Sequence, residues 1–339
     1  MKHQEKQLQL RISWIDTAKG IGLLCVILGH LHIPFLASWI YTFHIPLFFF
    51  LSGCVFKGNA YSFKDYLIKK IRSLVIPYFC LGLVIFAFQA LLILVQENRF
   101  SAILEMLWNF IKQEHFWTIW FLACLFLVEI LCWVIHKLCS KKLWILIVSA
   151  GICLLGFLRY RLGWGALPWN LDVALIAQFF FNLGFLFYHS KIQPFLLERK
   201  ASKICGLIVA GILINFIAGF SNIRLTGQSL DMSIGMYGNE LLSIFSALAG
   251  ILFIVVLSNF FSIRPLRYLG QNTMVIFAWH SRILIVLFEL IFNALGLFTS
   301  QNALILCIRA AIIFVGILLL LIPATELIKR TKVRKWFGV

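Results

Sequence analysis

Lys19 and His30 lie eleven residues apart in an otherwise apolar segment near the N-terminus, and their side chains can bind an anion and accept a proton. An ionisable group at mid-bilayer costs roughly 2.5–3.5 kcal/mol, so it is rarely kept without a function. At about 100° per residue, His30 lies about 20° around a helix from Lys19, and Asp16 about 40° to the other side. His30 is about 16 Å deeper than Lys19 at 1.5 Å per residue. The spacing predicts a polar face that runs from one membrane surface towards the middle of the bilayer.

A second imidazole follows on the next apolar segment. His44 lies about as far after the predicted turn at Pro34–Trp39 as His30 lies before it. An antiparallel hairpin therefore puts both rings at similar depth, in the outer half of the membrane. Pro46 is expected to kink this second helix and to leave a backbone carbonyl free near the site.

A basic cluster precedes the third apolar segment, and it contains Lys64, Lys69, Lys70 and Arg72. Cations at a helix entrance suit phosphate groups, and arginine offers a planar fork of donors. Ordinary anchoring at the cytoplasmic membrane surface is the alternative interpretation.

Later segments carry further candidates. Trp120 lies near the start of the fourth apolar segment, Asn272 lies in a turn that leads into the ninth, and His280 and Arg282 lie within the ninth. Asn272 suits a helix N-cap, and for His280 a catalytic and a structural role are both open. Arg282 needs a carboxylate or carbonyl partner, and the candidate carboxylates are Glu129, Asp172, Glu240 and Glu289.

The composition identifies a membrane protein. The 339 residues are 62% hydrophobic and 13% charged, with a mean hydropathy of +0.95. A soluble protein could not bury that much apolar surface. The fold class is therefore all-α, a polytopic membrane bundle of about ten transmembrane helices. The hydropathy assigns them to residues 16–36, 39–56, 74–95, 117–135, 143–158, 172–189, 204–220, 240–260, 274–294 and 303–323.

The charge distribution predicts the topology. The formal net charge is +17, and most of the 30 Lys and Arg residues fall on the side that also holds both termini. This positive-inside bias explains the charge, argues against nucleic acid as a partner, and predicts cytoplasmic termini. We expect one domain, 1–339, with a cytoplasmic N-terminal segment 1–15 and a cytoplasmic tail 324–339. The nine Cys residues show no metal-ligand spacing, and neither disulfides nor a metal site are predicted.

These residues resemble a known family. The segments Arg11–Gly22, Leu28–His30 and Phe43–Gly53 look like the opening of the acyltransferase-3 family of membrane O-acyltransferases, and Trp120–Leu122 and Tyr268–Thr273 followed by His280 are later matches. The resemblance implies transfer of an acyl group, usually acetyl, from cytoplasmic acyl-CoA to a hydroxyl of a sugar or glycan. A basic-residue–x10–His pattern of the family corresponds to Lys19 and His30.

The resemblance also assigns the donor site, with one departure. The family's Arg-x-x-Arg motif corresponds to Lys69 and Arg72, so lysine stands in the first position and bidentate phosphate binding there is weakened. Lys19, Lys69 and Arg72 are expected to bind the phosphates of CoA. No extracytoplasmic esterase-like domain, as some relatives carry, is expected to complete the reaction.

The expected mechanism is general-base catalysis. His30 takes the proton of the acceptor hydroxyl, which is worth about 10²–10⁴-fold in rate. His44 is a second proton carrier or an orienting partner, and Asp16 holds Lys19 or organises the entrance. Trp120, Asn272 and His280 are further site candidates.

The remaining expectations concern partners and location. The expected acceptor is a surface polysaccharide or a lipid-linked intermediate. The protein is expected to lie in the inner (plasma) membrane, among its lipids. Its expected role is O-acetylation in polysaccharide biosynthesis. Which acceptor, which short acyl group, which membrane face and which oligomeric state all stay open. The alternative function is a transporter or flippase for a polysaccharide or lipid-linked sugar, since intramembrane His, Arg and Glu also line transport pathways.

Overall fold

The chain is described here from a computed structural model, which covers residues 13–31, 33–96, 99–113, 117–197, 201–228, 230–298 and 302–339. The first half forms α1 to α8 in chain order: Ser13–Gly29, Pro34–Tyr41, His44–Cys54, Phe63–Lys70, Ile76–Gln96, Phe100–Lys112, Trp120–Leu138 and Lys142–Arg161. The second half forms α9 to α16: Leu171–Tyr188, Ile192–Leu196, Ala201–Thr226, Glu240–Phe260, Arg264–Gln271, Thr273–Trp279, Val286–Ala294 and Ala303–Lys329. Two π-helical turns, Ile71–Val75 and His280–Ile285, join α4 to α5 and α14 to α15.

The predicted polytopic helical bundle is confirmed. In the described part of the chain, nine helical segments are long and apolar enough to cross a membrane. The 17-residue α1 is shorter than these segments and is largely buried among them. Helices satisfy every backbone polar group internally, which a hydrocarbon environment demands.

The second predicted helix is broken. Residues 34–39, expected to hold the hairpin turn, are helical and belong to α2, and α1 ends at Gly29 instead of residue 36. The chain breaks at Thr42 and Phe43, before α3 begins. The kink predicted at Pro46 takes the form of this break, because Pro46 has no N–H to donate to the carbonyl of Thr42, four residues earlier, and instead occupies the first turn of α3.

Two other segments differ from expectation. The predicted outer loop after residue 96 contains α6, an amphipathic helix that exposes Phe100, Leu104 and Trp108 and buries Phe110. The last helix continues through Pro323 to Lys329, so the segment 324–339 begins inside α16.

Close backbone contacts fix the centre of the bundle. Helices α1 and α3 are the most enclosed, and α9, α12 and α13 pack around them. A Cβ atom on Gly53 or Gly184 would collide with the backbone of the facing helix, and so would one on Gly20 or Gly270. Glycine at these positions allows α3 to approach α9 and α1 to approach α13 more closely than any side chain would permit.

Candidate functional site

A cavity of about 740 Å³ lies at one end of the bundle, here called the cavity end. Its walls include His30 just after α1, Tyr41 at the end of α2, His44 at the start of α3, Trp120 at the start of α7, and Arg282 in the second π-helical turn. Each of these side chains sits where a helix ends or changes its winding. Such positions free backbone groups and often hold functional residues.

His30 borders this cavity one residue beyond the end of α1. Its backbone N–H donates to the Ile27 carbonyl at 3.1 Å, which closes the last turn. The Tyr41 hydroxyl lies 3.5 Å from His30 Nδ1, and the His280 ring lies 5.1 Å from the His30 ring between centroids. The structure therefore surrounds the predicted base with a phenol and a second imidazole.

His44 occupies the break between α2 and α3. Its Nδ1 lies 2.9 Å from the Ile40 carbonyl oxygen. A carbonyl oxygen only accepts, so Nδ1 carries the hydrogen and the lone pair of the neutral ring is on Nε2. Thr42 also stabilises the break, because its hydroxyl donates to the Trp39 carbonyl of α2 at 2.7 Å. The predicted pair, His30 and His44, does line one cavity, with Tyr41 in contact with both rings.

His280 begins the second π-helical turn and is fully buried. Its Nδ1 lies 2.8 Å from the Phe277 carbonyl oxygen, so the same argument leaves the lone pair on Nε2. Among the described residues, His280 Nε2 has no hydrogen-bond partner. A buried acceptor without a donor is costly, and its position beside the His30 ring makes it a candidate for a role in proton transfer.

Asp16 and Lys19 lie towards the opposite end of α1, here called the basic end. The Asp16 carboxylate accepts a hydrogen bond of 2.7 Å from Gln271 Nε2 on α13. Lys19 lies three residues further along α1. Neither residue lines the cavity. Asp16 is about 21 Å along the helix from His30, so the structure does not bring it to the predicted base.

Lys69 and Arg72 lie at the basic end, on exposed surface. Lys69 donates to the Tyr61 hydroxyl at 2.9 Å, and its ammonium lies 4.2 Å from the centroid of that ring. This hydrogen bond and the lysine charge lower the pKa of Tyr61. The Arg72 side chain makes no hydrogen bond or ion pair with the part of the chain described, and it lies in the π-helical turn Ile71–Val75.

The neighbouring lysine, Lys70, has a partner that the sequence did not predict. Lys70 forms an ion pair with Glu129, and the Tyr66 hydroxyl donates to the same carboxylate. Glu129 is 5% exposed. A carboxylate in the middle of an apolar segment could have signalled such a cluster, but its partner could not be identified from spacing.

Trp120 and Asn272, two further predicted site residues, lie at opposite ends of the bundle. Trp120 is buried and lines the cavity. Asn272 lies at the basic end and takes the predicted N-cap position of α14, but its side chain does not cap that helix. Instead, Asn272 Nδ2 donates to the Tyr268 carbonyl at 2.7 Å.

Each of the four carboxylates proposed as a partner for Arg282 is bound to another cation. The pairs are Glu129 with Lys70, Asp172 with Arg159 at 3.8 Å, Glu240 with Arg161, and Glu289 with Arg309. Within the described residues, the Arg282 guanidinium has no ion pair and no hydrogen bond. No cluster of three or more potential metal ligands occurs in the described ranges.

Comparison with known proteins decides the family. A family model described as an acyltransferase domain (Acyl_transf_3) matches residues 12–322, nearly the whole chain. The chain belongs to the acyltransferase-3 family. No curated protein and no solved structure matches it. Together with its apolar helices, the match makes this protein a multi-pass membrane acyltransferase.

Two short motifs of this acyltransferase gain a physical explanation from the fold. Gly53, in the segment Phe43–Gly53, permits the close crossing of α3 and α9. Gly270, in the segment Tyr268–Thr273, permits the crossing of α13 and α1 that brings Gln271 to Asp16. The first motif therefore positions α3, which begins at His44, and the second positions α1, which carries Lys19 and leads directly into His30.

Proposed function

We propose that this acyltransferase moves an acyl group, acetyl in the simplest case, from cytoplasmic acyl-CoA to a hydroxyl of a sugar or glycan. The observation that carries the proposal is the cavity beside His30, with Tyr41 and His280 next to that ring. A cavity of about 740 Å³ is large enough for a sugar unit.

His30 acts as the general base. It takes the proton of the acceptor hydroxyl while the hydroxyl oxygen attacks the thioester carbonyl carbon. The carbon–sulfur bond then breaks, CoA leaves as a thiolate, and the proton passes from His30 to that sulfur. Tyr41 orients the imidazole through its hydroxyl, and His280 is a positioning residue whose Nε2 lone pair favours the cationic ring.

The donor binds from the basic end. Lys69 and Arg72 are exposed cations there, and Lys19 lies on the helix that ends just before His30. They bind the phosphates of CoA, and the pantetheine arm covers the depth of about 16 Å between Lys19 and His30. Lys70 is excluded from this set because Glu129 neutralises it. Asp16 is assigned a positioning role, since Gln271 ties it to α13.

The membrane topology follows from the placement of the CoA site at the basic end. The basic end faces the cytoplasm of a cell whose plasma membrane holds the protein, and both termini lie on that side, as the positive-inside bias favours. The acceptor, a surface polysaccharide or a lipid-linked intermediate, enters the cavity end.

The decisive experiment measures release of free CoA thiol by purified protein supplied with acetyl-CoA and an acceptor glycan, with mass spectrometry of the product. His30→Ala should abolish transfer while the protein still inserts and purifies normally. The matched control is His189→Ala, which removes an exposed imidazole at the basic end and should leave the rate unchanged.

Two results contradict the proposal. Full activity in His30→Ala excludes His30 as the base. No thiol release by the wild-type protein, combined with movement of a lipid-linked sugar across vesicles, identifies a flippase instead. Mass spectrometry of surface glycans from cells with and without the gene then reports the acceptor.

A further inference from the structure

Arg282 is in an unusual position for an arginine. It lies near the middle of Thr273–Ala294, a segment long and apolar enough to cross a membrane, and its side chain is exposed and lines the cavity. A guanidinium at that depth without a counter-charge is costly even on lenient insertion scales. The cost is lowered only by water in the cavity or by an anion bound there.

The surrounding residues do not supply that anion. Two carboxylates line the cavity, Glu289 and Asp231. Glu289 is paired with Arg309, and Asp231 accepts hydrogen bonds from the backbone N–H and the hydroxyl of Ser233. Neither carboxylate lies within ion-pair distance of Arg282. With respect to the described residues, the guanidinium fork is therefore available to a ligand.

The backbone at Arg282 is held in place while its side chain is not. The carbonyl oxygen of Arg282 accepts a hydrogen bond of 2.7 Å from Gln89 Nε2 on α5. Arg282 lies two residues after His280, in the same π-helical turn, and the His280 ring is 5.1 Å from that of His30. His30 and Arg282 line the same cavity, so a group bound by Arg282 lies in the cavity that the predicted base borders, next to a fixed segment of backbone.

We infer that the cavity binds its acceptor through an anionic group, a carboxylate or a phosphate, held by the guanidinium of Arg282. The inference rests on the proposed function in that the cavity is taken as the acceptor site. Arginine suits this task because its planar fork matches the two oxygens of a carboxylate or phosphate. The acceptor class is then an acidic sugar, or a sugar attached to a phosphate, in place of a neutral glycan.

A binding experiment without acyl donor tests this inference separately from the chemistry. The full chain in detergent micelles is titrated with methyl β-glucuronide, methyl β-glucoside 6-phosphate and methyl β-glucoside. These probes share a ring and differ at carbon 6, so their comparison separates a carboxylate, a phosphate and a neutral group. The wild-type protein should bind at least one anionic probe roughly tenfold to a hundredfold more tightly than the glucoside.

Three variants assign the preference to one side chain. Arg282→Gln should remove the preference while leaving the affinity for the glucoside unchanged. Arg282→Lys should retain part of it, because the charge remains and the fork is lost. Arg224→Gln is the matched control, since Arg224 is an exposed arginine at the cavity end that does not line the cavity. It should bind all three probes as the wild type does.

Several results would overturn the inference. These are equal affinity of the wild type for charged and neutral probes, failure of both anionic probes to bind, or a preference that survives Arg282→Gln. If Arg282→Gln changed the preference for acetyl-CoA over succinyl-CoA as acyl donor but did not change the binding of the probes, the anion bound by Arg282 would belong to the acyl group instead. Absence of CoA release would refute the proposed function. The binding experiment contains no acyl donor, so its result does not depend on that outcome.

Discussion

Replacing Gly270 by alanine should force helices α13 and α1 apart. A Cβ atom at this position would lie 2.6 Å from the carbonyl carbon of Asp16 and 3.0 Å from the backbone nitrogen of Gly20. Carbon atoms in contact are normally about 3.5–4.0 Å apart, and the Asp16 carbonyl oxygen lies nearer still, so the helices must separate by at least about 1 Å. The atoms in the way belong to backbone, which cannot rotate aside as a side chain can.

The energetic cost has two parts. Overpacking of this kind typically costs about 1–3 kcal/mol. The separation also stretches the bond from Gln271 to the Asp16 carboxylate, and a hydrogen bond to a charged group contributes about 1.5–3 kcal/mol. We therefore expect Gly270→Ala to lower the free energy of unfolding by about 2.5–6 kcal/mol.

The measurement is unfolding by SDS in mixed micelles, followed by circular dichroism. Gly151→Ala is the matched control, because Gly151 lies within the membrane helix α8 and no atom of another helix lies within 4 Å of the position that a Cβ would take there. That variant should be unchanged or more stable by up to about 1 kcal/mol. If the two variants unfold within about 0.5 kcal/mol of each other, α13 and α1 are not packed backbone to backbone and the reasoning is refuted.

Three further outcomes are expected. Tyr41→Phe should lower the turnover rate roughly threefold to tenfold without changing the KM for acyl-CoA, because it removes the hydroxyl beside His30; an unchanged rate contradicts the orienting role. Lys70→Met and Glu129→Leu should each cost about 3–5 kcal/mol of stability, and the double variant should cost less than either, since it leaves no buried unpaired charge; additive losses measured by SDS unfolding would contradict the ion pair. Arg72→Ala should raise the KM for acyl-CoA about tenfold or more, and steady-state kinetics that show no change remove Arg72 from the donor site.

The helix break between α2 and α3 shows a first limit of the sequence. Pro46 predicted an interruption of this helix, but the break lies three to four residues earlier, at Thr42 and Phe43, and Pro46 belongs to the first turn of the new helix. The break at Thr42 and Phe43 is held by side-chain bonds from Thr42 and His44 to the carbonyls of α2. A proline shows only where a helix lacks a backbone donor. The side-chain hydrogen bonds that stabilise the break depend on rotamers, which the spacing of residues in the sequence does not reveal.

The pairing of charges shows a second limit. Arg282 was expected to find a carboxylate, and all four candidates turned out to be bound elsewhere. Which helices are neighbours decides those pairs, and one sequence does not report the neighbours. The same holds for His280, whose nearness to His30 joins residues 250 positions apart in the chain.

The amino-acid sequence alone determined that this chain is an all-helical membrane protein and that Lys19, His30 and His44 were worth attention. Hydropathy and the cost of charge in hydrocarbon act locally, so they can be read residue by residue. Only the tertiary structure decided that His30 meets Tyr41 and His280 beside a cavity, and that Asp16 is bound by Gln271 of α13. Those outcomes depend on close contacts at glycines between helices that are far apart in the chain. These contacts determine which helix faces can approach each other.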